Sequence, residues 1–238
     1  MENKQFENDN FVLYAPDSLS HVYENLESNL NDTLELYKKL FEVDSFRKVQ
    51  INYFDNKDDF REFVSKIRGD DSLPKYAVGT SSGGMISAYI DPSIKETDDI
   101  FNKRLHLAQH ELFHIMYHEL IVENNRKDYL TWFDEGCAQF FSGEKEYELN
   151  EGFNEWFNKV KSETNSIPKL NDLSHGDSFK TDDYNGYDLS LLAVKNLYDR
   201  LGFDEFKYLL TNGSRVKEYG DNLLDELFLF YGMLYRVR

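Results

Sequence analysis

The chain has 238 residues, 40% of them hydrophobic and 16% aromatic, enough apolar material for one large core or two closely packed lobes and far too much for a disordered chain. Its 27 Lys and Arg stand against 44 Asp and Glu, a net charge of -17 that speaks against nucleic acid and anionic membrane surfaces as partners. The N-terminal stretch has no apolar segment of the signal type, no run is long enough to span a bilayer, and a single cysteine excludes an internal disulfide, so a cytoplasmic protein is the expectation.

In chain order, residues 11–14 (Phe-Val-Leu-Tyr) form a short apolar run before Pro16 and read as a first strand. A helix opens near Ser18 or Ser20 and carries Val22, Leu26, Leu30, Leu34, Leu36 and Leu40 at helical spacing to about Val43. Residues 49–54 alternate as a second strand, and 58–67 form a short helix closed by Gly69. Residues 85–90 read as a third strand ended by Asp91-Pro92. The glycines before it (Gly79, Gly83, Gly84) mark a mobile loop or a close backbone approach.

From Phe101 the pattern turns helical. Phe101, Leu105, Ala108, Leu112, Ile115 and Met116 mark one buried face, while His106, His110, His114 and His118 recur at every fourth position. Within that stripe lies His110-Glu111-Leu112-Phe113-His114. Residues four apart on a helix leave one face a turn apart, which suits two imidazole ligands of a tetrahedral zinc. Glu111 lies between them, where a carboxylate can take a proton from a water at the metal. His106 and His118 read as outer or solvated residues.

A second helix runs from about Thr131 to Phe141, with Thr131 as N-cap and Asp134 in its first turn. Glu135 is well placed to give the third ligand, and Gly136 beside it lets another backbone come close. Cys137 lies two residues on and points away from Glu135, so it reads as a small buried side chain. Residues 142–184 are polar and read as a partly ordered connection over a cleft, with His175 in it as a solvated loop residue. Helices follow near 189–201, 204–210 and 222–231. There is no internal repeat, heptad array or phosphate-binding glycine motif.

Trp132, Glu135 and Gly136 complete a W-x-x-E-G pattern after H-E-x-x-H, and over roughly Tyr76 to Leu210 the chain resembles the gluzincins, zinc metallopeptidases whose third ligand is a Glu on the following helix. The resemblance implies one catalytic zinc held by His110, His114 and Glu135, with Glu111 as the base. It also implies an oxyanion donor from a Tyr on a later helix, for which Tyr187 is the first choice and Tyr184 the second. Two positions depart from the family pattern. Thermolysin-like members carry an Asp four residues after the Glu ligand to orient a histidine, and here that position is Gln139. Aminopeptidase-like members bind the substrate's free amine with a Glu where Gly83-Gly84-Met85-Ile86-Ser87 places Ile86. An aliphatic side chain cannot pair with an ammonium, which argues against an aminopeptidase.

The expected architecture is α+β in a single catalytic domain over 1–238. Residues 1–122 form an α/β lobe with a small mixed sheet and an edge strand beside the zinc helix, and residues 123–238 form a helical lobe. The expected function is zinc-dependent peptide-bond hydrolysis, internal to the chain of a peptide or protein substrate. The alternative is an inactive zinc-containing peptide-binding protein of the same fold.

Overall fold

Phe11, Leu13 and Ala15 are fully buried and Val12 and Tyr14 only partly, the period-two pattern of a strand with one face on a core. The computed structural model describes residues 3–23, 26–95, 101–123, 129–174 and 179–234. The fold is α+β, and the chain forms two compact units: Met1–Met116 with Phe141–Glu144, and Tyr117–Phe140 with Lys145–Arg238.

The first unit holds a five-stranded mixed sheet. Its strands are β1 (Asn3–Glu7), β2 (Phe11–Ala15), β3 (Val49–Phe54), β4 (Gly79–Ser82) and β5 (Met85–Tyr89). Their order is β1-β2-β3-β5-β4, with β2, β3 and β5 parallel and β1 and β4 antiparallel at the two ends. Parallel neighbours need helical crossovers. α1 (Ser20–Tyr23) and α2 (Leu26–Phe41) supply the first, and α3 (Lys57–Arg68) lies in the second. α2 buries Leu26, Leu30, Leu34, Tyr37 and Leu40. α3 starts where the Asn56 side chain accepts from the Asp58 and Asp59 amides, and stops where Gly69 turns left-handed at φ 77°. It packs Phe60 and Val64 against Phe54, Leu73 and Tyr89.

Two expectations about the sheet need correction. The strand at residues 85–90 is internal, between β3 and β4, and the edge is β4, taken from the glycine-bearing stretch expected to be a loop. Gly83 and Gly84 both have positive φ (59° and 72°), the requirement of a tight two-residue hairpin. Gly-Thr-Ser-Ser shows no apolar alternation, because an edge strand can rest on its pairing alone.

The helix carrying the histidines is broken once, at His106, into α4 (Phe101–Leu105) and α5 (Leu107–Tyr117), and continues as a π-helical turn at His118–Val122. α6 (Thr131–Ser142) follows. Leu130, not Thr131, is its cap, since the Leu130 carbonyl accepts from the Phe133 and Asp134 amides at 3.1 Å.

The second unit is helical: α7 (Glu146–Leu149), α8 (Phe153–Glu163), α9 (Gly186–Leu210, interrupted at Gly202), α10 (Gly213–Gly220) and α11 (Leu223–Leu234). α8 lies in the stretch expected to be an irregular connection, yet Trp156, Phe157 and Val160 are buried along one face. His175 lies outside the described residues. No helix among the described residues is long and apolar enough to cross a membrane.

Two contacts fix α6 within this unit. The Trp132 indole N–H donates to Asn171 Oδ1 at 3.3 Å, and the Asn171 amide donates to the Lys217 carbonyl and to Asp221. Gly136 abuts the backbone of α9. A Cβ there would lie 2.6 Å from the Ser190 carbonyl oxygen and 2.7 Å from Val194 Cγ2. Backbone cannot swing aside as a flexible side chain can, so Gly136→Ala is expected to destabilise the protein by about 1–3 kcal/mol. A melting temperature equal to that of the wild type would show that the two helices are not packed this closely.

Candidate metal centre

α5 is buried on most sides: Ala108, Leu112, Phe113 and Met116 are inaccessible to solvent, and the Tyr37 hydroxyl ties α2 to the Gln109 carbonyl at 3.1 Å. Such a helix has little freedom to rotate, so its polar residues are held where the packing puts them. His110 and His114 converge, with their Nε2 atoms 3.0 Å apart and their ring planes at 73°. Two nitrogens bound to one zinc at about 2.1 Å in a tetrahedron stand about 3.4 Å apart, so a small rotamer adjustment suffices to seat both on one ion.

Behind His110 lies a carboxylate the sequence reading did not single out. Glu144 Oε2 is 3.5 Å from His110 Nδ1, and the two side chains are 2% and 12% exposed. A buried carboxylate needs positive or donating partners. Arg104, whose pKa is lowered by its own burial, also feels the Glu144 charge, so His110 and Arg104 are two such partners. A carboxylate at Nδ1 favours the tautomer protonated there and leaves the Nε2 lone pair for a metal. Gly143 makes this possible: at φ 82° it ends α6 and turns the chain so that Glu144 folds back. The sequence offers only a local turn signal here, a Gly directly after a helical pattern, and nothing that points from Glu144 to His110.

Glu111 is 8% exposed. It lies against the first residue of β4, since a Cβ on Gly79 would sit 3.0 Å from Glu111 Oε1 and 3.0 Å from Leu107 Cγ. The expected close backbone approach at Gly79 is therefore to this carboxylate. His106 lies beside Gly143.

The second unit holds the other expected residues. Glu135 is 7% exposed in the second turn of α6, and its neighbour Asp134 is 1% exposed. Asp134 Oδ2 accepts from the Tyr129 hydroxyl at 3.0 Å and lies 2.9 Å from His118 Nε2. His118 is thereby tied to Asp134. The buried Asp134 charge also weighs on its surroundings. The Tyr117, Tyr129 and Cys137 hydroxyl and thiol groups are all pushed up in pKa, first by burial and then by Asp134. Cys137 is fully buried, as expected, and burial holds it as the unreactive thiol.

Gln139 links two helices of the second unit. Its amide nitrogen donates to the Tyr187 carbonyl at 2.9 Å and to the Glu135 carbonyl at 3.3 Å, joining α6 to the first turn of α9. Tyr187 stands in that turn, its amide on the Asn185 side chain and its ring edge-on to Phe179 at 4.7 Å between centroids. Tyr184 precedes it in a turn closed by Thr181. The structure thus gathers His110, His114, Glu111 and Glu144 in the first unit, and Glu135, Gln139 and Tyr187 in the second.

No protein-family model and no curated protein matches the chain. Among solved structures it is similar to native leukotriene A4 hydrolase from Saccharomyces cerevisiae, with a TM-score of 0.48 and 14% identity over 99% of this chain and 37% of that one. It is similar to the yeast enzyme in complex with bestatin at a TM-score of 0.47 and 14% identity, over 98% and 36% of the two chains. The chain therefore spans little more than a third of those proteins.

Removing the carboxylate behind His110 is expected to weaken zinc binding by about 10-fold or more, with Glu144→Gln nearer the wild type than Glu144→Ala. Competition with a chromophoric chelator measures this. Equal affinity in all three proteins would show that Glu144 does not act on His110.

Proposed function

We propose that the chain is a zinc-dependent peptidase of the gluzincin type that cleaves bonds within peptides, with His110, His114 and Glu135 as metal ligands. The observation that carries this reading is the convergence of the two Nε2 atoms at 3.0 Å, with the intervening carboxylate held against the edge of the sheet. The donor set is two neutral imidazoles and one carboxylate, the composition of a catalytic rather than a structural zinc site. A zinc ion bound there would polarise the scissile carbonyl and make a water acidic near pH 7.

The protein's own groups do the rest. Glu111 takes the proton of the attacking water and hands it to the leaving nitrogen. Its carboxylate is buried beside Gly79, at the first residue of β4. Tyr187 supplies a hydrogen bond to the oxyanion, and the Gln139 bond to its carbonyl fixes the turn that carries it.

β4 positions the substrate. The Tyr89 amide bonds the Val78 carbonyl, and hydrogen-bonded and open pairs alternate along an antiparallel ladder. Gly79 and Ser81 fall at open pairs, so their N–H and C=O groups point away from the sheet and can receive an extended peptide as a further strand. Gly79 is also the residue touching Glu111, so a peptide seated there runs past the base.

Glu111→Gln is expected to retain zinc and lose roughly 10²–10⁴-fold in turnover. Cleavage at the wild-type rate by this variant ends the mechanism, and a zinc-loaded wild type that binds peptides without chelator-sensitive cleavage points to the inactive binding protein instead. Glu135→Ala is expected to lower zinc affinity by at least about 10-fold. Unchanged metal content after dialysis would remove Glu135 from the ligand set.

A further inference from the structure

The far end of the same edge strand carries a cation whose placement the peptidase reading does not use. Arg68, the last residue of α3, is exposed, and its guanidinium lies across the side chains of β4. Nε donates to Ser82 Oγ at 2.9 Å and Nη2 donates to Thr80 Oγ1 at 2.5 Å. Both partners are neutral hydroxyls. Asp70 feels the Arg68 charge, but its carboxylate is bonded to Ser72, and Arg68 forms no ion pair among the described residues. In a chain with 44 acidic residues, an arginine held in place yet left without a carboxylate stands out chemically. Two hydroxyls fix the plane of its fork, and Nη1 is left to donate, so little side-chain entropy is lost when a carboxylate arrives.

The ladder register says where such a carboxylate would come from. Side chains alternate faces along a strand. Gly79 and Ser81 share the face that meets Glu111 and α5, while Thr80 and Ser82 share the α3 face with Arg68. A peptide added to the open edge alternates in the same way. Its residues opposite Thr80 or Ser82 project beside the guanidinium, about 3–10 Å along the strand from Gly79, or one to three residues from the bond at Glu111.

We propose that Arg68 is a specificity-determining residue that selects substrates bearing a carboxylate one to three residues from the cleaved bond. That carboxylate is an acidic side chain or a peptide C-terminus. The proposal rests on the peptidase reading for its register, but binding alone can test it.

Matched peptides carrying Glu or Gln at each position around one cleavage site, and matched C-terminal acids and amides, are assayed with the zinc-loaded full chain and with Arg68→Gln. For wild type, the expected result is a preference of about 10-fold in kcat/KM for one carboxylate-bearing peptide, expressed mainly in KM. In Arg68→Gln the ratio falls to about 1, and Arg68→Glu shifts the preference to a Lys peptide. The position series and the acid–amide pair tell a side chain from a terminus. Absence of any preference in wild type, or its persistence in Arg68→Gln, overturns the proposal. Where no peptide is cleaved, the peptidase reading fails separately, and fluorescence anisotropy of the same peptides on the Glu111→Gln protein decides the role of Arg68. Tighter binding of the carboxylate peptide that depends on Arg68 upholds it, and equal or absent binding overturns it.

Discussion

The constraint on which the rest of the site depends is the immobility of α5. Two imidazoles four residues apart face the same way on any helix, but they converge usefully only if the helix cannot roll. Here Ala108, Leu112, Phe113 and Met116 are sealed into the core and Tyr37 clamps the Gln109 carbonyl. The apolar residues between the histidines therefore set the 3.0 Å approach of the two nitrogens. Glu144 then stands 3.5 Å behind a ring already in position.

A parallel logic governs α6. Glu135 has a defined position only if its helix does, and two unlike contacts provide that. The Trp132 indole reaches the Asn171 amide, which binds α10, while Gly136 lets the α9 backbone approach to a distance no side chain would permit. In the W-x-x-E-G pattern Glu135 is thus bracketed by a long-range anchor and a close-packing glycine. Gln139, one turn on, adds a bond from the same helix to the α9 turn carrying Tyr187, so the helix bearing Glu135 and the turn bearing Tyr187 are tied together.

The legible parts were those where one local pattern decides. The strand at 49–54 and the helix closed by Gly69 sit where alternation and a left-handed stop put them, and the glycine at 136 sits where another backbone comes close, as expected. α8 was missed: Trp156, Phe157 and Val160 keep helical spacing, but the surrounding Asn, Glu and Lys masked it. Glu144 and β4 were not legible, for one reason: both depend on partners distant in sequence. An acid in a polar stretch looks solvated until a glycine turn folds it onto a histidine 34 positions back (144 − 110). A Gly-Thr-Ser-Ser segment looks like a loop until a hairpin pairs it with β5.

The polarity of β4 fits the peptide-binding task proposed for it. An open edge with outward N–H and C=O groups is a template for unwanted strand pairing, and proteins blunt such edges with short length, charge or bulges. A peptide-binding edge must stay flat and open, so bulges and inward charges are ruled out, and shortness and polarity remain. β4 is four residues long, has no apolar side chain, and carries an arginine over one face. The features that keep a second copy from adding to the sheet leave room for the single extended peptide proposed here, which would gain main-chain bonds at Gly79 and Ser81 without needing an apolar pocket. On such a strand little discrimination can come from packing. On the proposed reading, selectivity then comes from the groups flanking the strand, Glu111 on one face and Arg68 on the other.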